Sequence, residues 1–474
     1  PAGIPAGIPA GIPAGIPAGI PAETPAEALG GGRYRDGVLR RLDLRGNLPS
    51  SPAGLRAVLP RPDQGGAGSE SDALTAVRII LNDVRTRGDE ALRELTARFD
   101  GAELPTIEVD SAEVAAALTC IDPIVRKALE VAAEAIRRHH EGQVRAEHRT
   151  EDAGLVVRSI SRPVQRVGCY APGGRAAYPS TVLMTAIPAR VAGVEEVVLC
   201  VPPGPDGRVA EVTLAAAAMA GVDAVYAVGG AQAVAAMAFG TESIPPVDVI
   251  AGPGNVYVAL AKREVAGLVG VPSAFAGPSE VVVVADATVP AAFAAIDVVV
   301  QAEHGPDGLA WLITWDEVVA DAVDAEVARI VKASPRIDDV TATLASAGWV
   351  VLVDGPDEAL AVSDAIAPEH LQLMVDGAEV LADRVRHAGV VFCGPWSPAS
   401  LGDYVAGPSH VLPTAGTARF AGALTVADFT KEVNVVTADQ GAFERLAPHV
   451  AALADAEGLD AHAASVRIRA RHNA

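Results

Sequence analysis

The segment QAEHG at positions 301–305 contains two residues that could bind a metal ion. Gln301 and His304 lie three residues apart, directly after the apolar run AAFAAIDVVV. If that run is helical, the two side chains lie on one face with their Cβ atoms about 5–6 Å apart. A neutral amide oxygen is a weak zinc ligand, so the pair taken alone favours the polar end of a core helix over a metal site.

A second candidate is the segment APEHLQL at 367–373, in which Glu369 and His370 are adjacent. An acid next to an imidazole suits paired proton transfers, because both groups can be tuned to titrate near neutral pH. The alternative interpretation is a helix start, with Pro368 at the first position and Glu369 in the first turn. Taken alone, the segment favours that helix start.

Four further polar side chains lie in glycine-containing segments. Ser279 belongs to AGPSE, Asp403 to GDYVAGPSH, and Glu457 and His462 to EGLDAH near the end of the chain. Together with the QAEHG pair, Asp403 and His462 would form a mixed nitrogen and oxygen set that suits zinc or a similar divalent ion. Spacing alone does not select these residues from the many polar residues of the chain.

The elements that must position these side chains follow an α/β pattern. Apolar residues recur at helical spacing from about residue 70 to 145, and strand-like runs then alternate with helical ones in two successive sets. The strand-like runs are nearly continuous in apolar residues, which is typical of parallel sheets that are covered on both faces. We therefore expect two α/β domains of similar design and a final stretch, about 425–474, that is mostly helical.

Three polar turns follow predicted strands of the first set. Tyr170 lies in CYAPGG, Gln232 in VGGAQA and Asn255 in AGPGN. Ligands of open parallel sheets bind at the carboxyl ends of the strands, and glycine and proline there let the backbone approach a ligand closely. None of the three turns matches the G-x-G-x-x-G fingerprint of dinucleotide sites, and any one of them is also compatible with an ordinary tight turn.

Composition excludes several classes of protein. The chain has 474 residues, half of them apolar, and a net charge of −22, which argues against nucleic acid or anionic membrane as a partner. The four cysteines form no C-x-x-C pair, which favours reduced core residues of a cytoplasmic protein over a disulfide scaffold or a thiolate metal site. No segment is typical of a transmembrane span or a secretory signal.

The beginning of the chain differs from the rest. Residues 1–20 are five copies of PAGI, and proline at every fourth position blocks a helix. We expect residues 1–37 to form a disordered arm that adds nothing to activity, followed by an N-terminal extension over 38–66. The remaining division expected is a first α/β domain from 67–169 and 279–424, a second from 170–278, and a C-terminal helical appendage over 425–474.

The motif-bearing segments resemble the histidinol dehydrogenase family. They occur in the order found in that family, and the resemblance covers roughly residues 40–474. The segments that carry it are RPVQRVGCYAPGGRAAYPSTVLMTAIPARVAGV, VGGAQAVAAMAFGT, AGPGNVYVALAKREV, AGPSEVVVVAD, QAEHG, APEHLQL, GDYVAGPSHVLPTAGTARF and EGLDAH. The PAGI arm has no counterpart in the family.

The resemblance implies a fold, an activity and a set of roles. It implies two related, incomplete Rossmann-like domains in a cytoplasmic homodimer with shared active sites, and oxidation of L-histidinol to L-histidine through L-histidinaldehyde with NAD and one zinc ion per subunit. The residues to which it gives roles are, for zinc, Gln301, His304, Asp403 and His462; for proton transfer, Glu369 and His370; for NAD, Tyr170, Gln232 and Asn255; and for the substrate, Ser279 and Glu457 together with His370 and the zinc ligands.

Two other functions remain open on the sequence. A zinc hydrolase could use Glu369 as its base, but such an enzyme would not need the three polar turns of the first set. A binding protein without activity could use the same scaffold, but the presence of every polar residue of the family pattern argues against it. A cysteine-based route for aldehyde oxidation is disfavoured, because the resemblance places none of the cysteines at a catalytic position.

Overall fold

The structure is a computed structural model that describes residues 37–60, 67–173, 176–272, 279–303 and 308–472. The PAGI repeats of the expected arm lie outside these residues. The described residues form an α/β fold, as predicted, with strands in two parallel sheets and one antiparallel sheet. None of the described helices has both the length and the apolar character that crossing a membrane requires.

The strands follow one another along the chain as β1 (Arg40–Asp43), β2 (His148–Asp152), β3 (Leu155–Pro163), β4 (Arg166–Tyr170), β5 (Glu196–Cys200), β6 (Ala224–Tyr226), β7 (Val249–Ala251), β8 (Glu280–Ala285), β9 (Leu309–Thr314), β10 (Gly348–Leu352), β11 (His370–Met374), β12 (Val390–Cys393) and β13 (Thr430–Ala438).

The helices of the first part are α1 (Pro52–Val58), α2 (Ala67–Arg87), α3 (Asp89–Phe99), α4 (Ser111–Cys120), α5 (Pro123–Glu141), α6 (Pro179–Val191), α7 (Glu211–Ala220), α8 (Gly230–Phe239) and α9 (Val256–Val265). Those of the second part are α10 (Ala291–Ala302), α11 (Glu317–Ala333), α12 (Ile337–Ala347), α13 (Pro356–Ile366), α14 (Ala378–Ala382), α15 (Ala399–Tyr404), α16 (Gln440–Ala456) and α17 (Asp460–His472).

The smaller parallel sheet has the strand order β6-β5-β4-β7. Helices α4 to α7 cover one face, and α2, α3, α8 and α9 cover the other. The helices of residues 67–141 therefore pack on this sheet, whereas the domain division expected from the sequence placed them with residues 279–424. Their apolar stripes are buried against α6 to α9, which is a tertiary contact that helical spacing alone does not identify.

The larger parallel sheet has the strand order β1-β10-β9-β8-β11-β12. Alternate residues of its strands face opposite layers, so that Val282 and Val284 contact the layer of α1, α13 and α14, while Val281 and Val283 contact that of α10, α11 and α12. The expected N-terminal extension contributes the edge strand β1, which pairs in parallel with β10.

Both parallel sheets contain a point at which the chain changes direction across the sheet. In the smaller sheet it lies between β4 and β7, and in the larger sheet between β8 and β11. Ligands of doubly wound folds bind at such points.

The third sheet is antiparallel, with the order β13-β3-β2. Its strand β13 lies within the C-terminal stretch that the sequence predicts as mostly helical, before α16 and α17. These last two helices pack mainly on each other and on β13. Much of this part of the chain, including the apolar residues Val433, Val435 and Val436, is exposed to solvent.

Candidate active site

The polar turns of the smaller sheet lie at the carboxyl ends of its strands. Tyr170 ends β4, Gln232 lies in the first turn of α8 after β6, and Asn255 is the N-cap of α9 after β7. The structure therefore brings these three sequence-predicted residues to one edge of the sheet, beside the direction change between β4 and β7. The N-termini of α8 and α9 begin there, and unpaired N–H groups at helix N-termini favour anionic ligands.

The contacts of these residues show how the edge is built. The Tyr170 hydroxyl accepts a hydrogen bond from the Gly230 N–H (3.1 Å), and burial raises the pKa of the Tyr170 phenol to about 12. The Asn255 carbonyl oxygen accepts from the N–H groups of Tyr257 and Val258, both at 3.1 Å. Tyr170 therefore holds the VGGAQA turn at Gly230. The exposed Asn255 caps its helix through its oxygen, and its amide N–H₂ makes no hydrogen bond with a described residue.

Glu369 and His370 lie in the larger sheet, at the amino ends of its strands and not at their carboxyl ends. His370 is the first residue of β11, and the register places it beside Val281, so Glu369 lies next to Glu280 at the amino end of β8. The helix-start interpretation of this segment is wrong, because α13 has already ended at Ile366 and Ala367 adopts a left-handed conformation with φ 54°. The pair thus lies at the amino ends of the strands.

Both members of the pair are held by the backbone of Glu280. The Glu280 N–H donates to Oε2 of Glu369 (2.9 Å), and the Glu280 carbonyl lies 3.0 Å from Nδ1 of His370. Because a carbonyl can only accept, Nδ1 carries a proton and Nε2 is left for other chemistry. Nε2 lies 3.6 Å from Oδ1 of Asp403, on α15.

The environment of His370 is dry and negatively charged. This residue is 3% exposed and its ring stacks on that of Phe392, with 6.1 Å between ring centroids and 14° between planes. Burial lowers the pKa of His370, but the Glu369 and Asp403 carboxylates more than offset this and raise it to about 10. Proton uptake at Nε2 is therefore strongly favoured while both carboxylates are charged.

The predicted metal ligands are only partly brought together. Gln301 lies in the last turn of α10, is 2% exposed, and its side chain makes no hydrogen bond with any described residue. Along β11, His370 and Met374 face the side of the sheet that α10 covers, whereas Leu371 and Leu373 face the opposite side. Gln301 and His370 therefore belong to the same layer. His304 lies outside the described residues, which contain no group of three or more His, Cys, Asp or Glu side chains able to hold a metal ion.

The remaining predicted substrate residues are divided between this edge and a distant part of the chain. Ser279 directly precedes β8 and lies beside the Glu369 segment. Glu457 and His462 are exposed on the α16–α17 segment, which packs mainly on itself and on β13. Within one chain, these two residues are therefore not brought to Glu369, His370 and Asp403.

Two further residues organise this edge, and the sequence did not single them out. The Glu280 carboxylate accepts a hydrogen bond from the Ala415 N–H (3.0 Å). His410 lies 3.0 Å through Nδ1 from the carbonyl oxygen of Asp403 and 3.2 Å through Nε2 from the Thr181 hydroxyl on α6. Both lie inside motifs that the sequence offered, AGPSE and GDYVAGPSH, but only the folded chain shows what they contact.

The bridge through His410 links the two parallel-sheet layers. Because a carbonyl only accepts, Nδ1 of His410 donates to Asp403, and in the neutral ring Nε2 accepts from the Thr181 hydroxyl. Burial lowers the pKa of His410, which favours that neutral form. Helix α15, which carries Asp403, is therefore tied to α6, the helix that follows the CYAPGG turn.

Comparisons with known proteins agree on one family. The family model described as histidinol dehydrogenase matches residues 64–470. The chain is 48% identical over 401 residues to histidinol dehydrogenase from Parasynechococcus marenigrum, covering 84% of this chain and 92% of the relative. It is 46% identical over 437 residues to that from Aromatoleum aromaticum, covering 91% and 98%.

The fold gives the same result. The crystal structure of histidinol dehydrogenase from Elizabethkingia anophelis superimposes with a TM-score of 0.86 and 33% sequence identity, covering 93% of this chain and 99% of that one. Taken with the paired Glu369 and His370 and the polar edge of the smaller sheet, these findings show that the chain belongs to the histidinol dehydrogenase family of oxidoreductases, enzymes of histidine biosynthesis.

Proposed function

We propose that this protein oxidises L-histidinol to L-histidine through L-histidinaldehyde, using NAD and zinc. The observation that carries the proposal is the arrangement at the amino ends of β8 and β11. There a buried imidazole has one nitrogen fixed by a carbonyl and the other directed at the carboxylate of Asp403, with Glu369 alongside. Such a site can remove a proton from an alcohol and activate water.

The residues proposed to hold zinc are Gln301, His304, Asp403 and His462. The amide of Gln301 is buried without a hydrogen bond to a described residue, so its oxygen is available as a ligand. The Asp403 carboxylate lies against the buried His370, where a cation would offset its charge. Bound zinc would supply a Lewis acid that orients the imidazole and amine of histidinol.

His370 is the proposed base for the alcohol. Its Nδ1–H is fixed by the Glu280 carbonyl, so Nε2 is the atom that takes up the hydroxyl proton. A base must be neutral before it accepts a proton, and the pKa of His370 falls when the charge of Asp403 is offset by a bound cation. Asp403 thus has a second role, which is to hold the imidazolium that forms.

Glu369 is the proposed base for the second oxidation. An aldehyde must add water before it can lose a hydride, and a carboxylate can take the proton from that water. The hydrogen bond from the Glu280 N–H keeps Glu369 at the edge beside His370, with 3.5 Å between its Oε2 and Nδ1 of the ring.

The polar edge of the smaller sheet is the proposed NAD site. Tyr170, Gln232 and Asn255 lie beside the direction change between β4 and β7, and two helix N-termini begin there. Bound NAD would supply the hydride acceptor. The His410 bridge between Thr181 and Asp403 ties the layer of this edge to that of the catalytic pair.

A cysteine-based route is poorly supported by the thiols. All four cysteines are free, and burial raises the pKa values of Cys169, to about 12, and of Cys200 and Cys393. A thiol whose pKa is raised supplies little of the thiolate that attacks an aldehyde.

The active form is proposed to be a homodimer in which each site takes Glu457 and His462 from the partner chain. Both residues are exposed here, on the α16–α17 segment, which packs mainly on itself and on β13, and β13 carries exposed valines of its own. Mixing an Asp403→Ala chain with a His462→Ala chain tests this. Each variant alone should be inactive, and the mixture should regain activity through hybrid dimers that contain one intact site; no recovery from chains shown to exchange would contradict the shared site.

The reaction itself is tested by following NADH absorbance with zinc-loaded protein and L-histidinol. Formation of NADH that a chelator abolishes supports the proposal. If the protein binds zinc but forms no NADH, the result would instead support a zinc hydrolase or a binding protein on this scaffold.

A further inference from the structure

Lys262 places an amine in the middle of an apolar layer, where burial lowers its pKa to about 7. It lies in α9, is 0% exposed, and has Leu260, Ala261 and Val265 as buried neighbours on the same helix. Lysine is almost never fully buried unless it is paired, because an ammonium group loses its hydration there. The fold therefore keeps this residue for a contact that an apolar side chain could not make.

That contact is with the turn at the start of the same helix. Nζ of Lys262 donates to the carbonyl oxygen of Gly252 at 2.6 Å. Lys262 lies seven residues after the N-cap Asn255, which is about 10 Å along a helix, so its extended side chain reaches back to the AGPGN turn. Because residue 253 is proline, the peptide after Gly252 has no N–H, and its carbonyl is the only polar group it offers.

The AGPGN turn is tightly placed. Gly252 has φ +117°, and a Cβ atom at this position would lie 2.1 Å from the carbonyl oxygen of Tyr170. The turn therefore abuts the end of β4 at the direction change between β4 and β7. Only glycine adopts this conformation readily, so the turn needs an outside contact to keep one geometry. Lys262 supplies that contact from beneath.

We propose that Lys262 is a positioning residue for the dinucleotide, which holds the Gly252 carbonyl inward so that Asn255 and the N-terminus of α9 face the cofactor. The inference rests on the proposed NAD site. Lys262 acts through the turn and does not touch the reacting atoms. Its loss should therefore weaken NAD binding and leave histidinol binding and the chemical step largely unchanged.

The test compares Lys262→Met with Arg263→Met, which removes the neighbouring exposed charge from the same helix. The Kd for NAD is measured by titration calorimetry on zinc-loaded protein, and KM and kcat are measured for both substrates. Lys262→Met should weaken NAD binding by up to about tenfold, the loss expected for one buried hydrogen bond, while the KM for histidinol stays unchanged. Arg263→Met should bind NAD like the wild-type protein.

Two results would overturn the inference. One is folded Lys262→Met protein with wild-type affinity for NAD. The other is equal weakening for both substrates together with a lower melting temperature, which would make the role merely structural. If Lys262→Met does not fold, Lys262→Gln, whose shorter side chain does not reach the Gly252 carbonyl, takes its place under the same two criteria.

The inference and the proposed function can fail separately. If the wild-type protein binds NAD but does not oxidise histidinol, the proposed reaction is wrong, and the comparison of Lys262→Met with Arg263→Met can still be made. If the wild-type protein oxidises histidinol and Lys262→Met leaves the affinity for NAD unchanged, only the role given to Lys262 is wrong.

Discussion

Replacing Asp297 by asparagine should stabilise the protein in a manner that depends on pH. Asp297 lies on α10, one turn before Gln301, and is 5% exposed. Its Oδ2 has no hydrogen-bond partner among the described residues, and burial raises the pKa of the carboxyl from 3.8 to about 6. Above that pKa the native protein holds a charge that its surroundings do not compensate.

The size of the effect follows from the difference between the pKa values of the folded and unfolded states. Two pKa units correspond to about 3 kcal/mol, and partial solvation reduces this to about 2 kcal/mol. Because the folded pKa is the higher one, the native state binds the proton more tightly and loses stability as the pH rises toward about 6. The Asp297→Asn variant avoids that loss, so its advantage is full above about pH 7, roughly half at pH 5 and absent below about pH 4.

The assay is urea unfolding of Asp297→Asn and wild-type protein at about pH 8 and about pH 5, both above the isoelectric point of 4.8. Asp72→Asn, at an exposed position on α2, is the matched control and should change stability by less than about 0.5 kcal/mol at either pH. Equal gains for Asp297→Asn at the two pH values, or a loss at the higher one, would show that the buried charge of Asp297 does not destabilise the native protein.

Three further predictions concern the candidate site. Glu369→Gln should still oxidise the alcohol but lose most of the aldehyde oxidation, by about 10²-fold or more, so that single-turnover analysis finds accumulated aldehyde; equal loss of both steps would contradict the role given to Glu369. Glu303→Gln should retain zinc, whereas His304→Ala should lose it, and unchanged zinc in the second variant, read by metal analysis, would overturn the ligand set. Glu280→Ala should lower kcat about tenfold at unchanged zinc content, because the Ala415 N–H loses its acceptor. Glu280→Gln keeps an acceptor oxygen and should have a kcat near that of the wild type. Equal losses of kcat in the two variants would show that the charge of Glu280 matters and not its hydrogen bond.

Much of the fold follows from local pattern. The strand-like runs predicted β5, β8, β9 and β10 because buried parallel strands are nearly continuous in apolar residues, and Val281 to Val284 are fully buried. The turns after β4, β6 and β7 were placed correctly at the carboxyl ends of their strands, since a β-strand, turn and helix in succession leave no other position.

What the sequence did not provide depends on contacts between distant segments. The helix-start interpretation of APEHLQL failed because the pairing of β11 with β8, about ninety residues away, overrides the local preference for a helix after proline. The roles of Glu280 and Lys262 were equally hidden, since each acts through a backbone carbonyl that no motif identifies. Local sequence therefore supplied the reactive side chains, and tertiary pairing supplied their partners.

The paired Glu369 and His370, with the polar edge of the smaller sheet, are proposed to carry out a four-electron oxidation. It is tested most directly by exhausting a limiting amount of L-histidinol with zinc-loaded protein and excess NAD, and counting NADH against histidine formed. We expect two NADH for each histidine, and no reaction after His370→Asn despite retained zinc. One NADH for each histidinol with the aldehyde as the final product, or undiminished activity in His370→Asn, would contradict it.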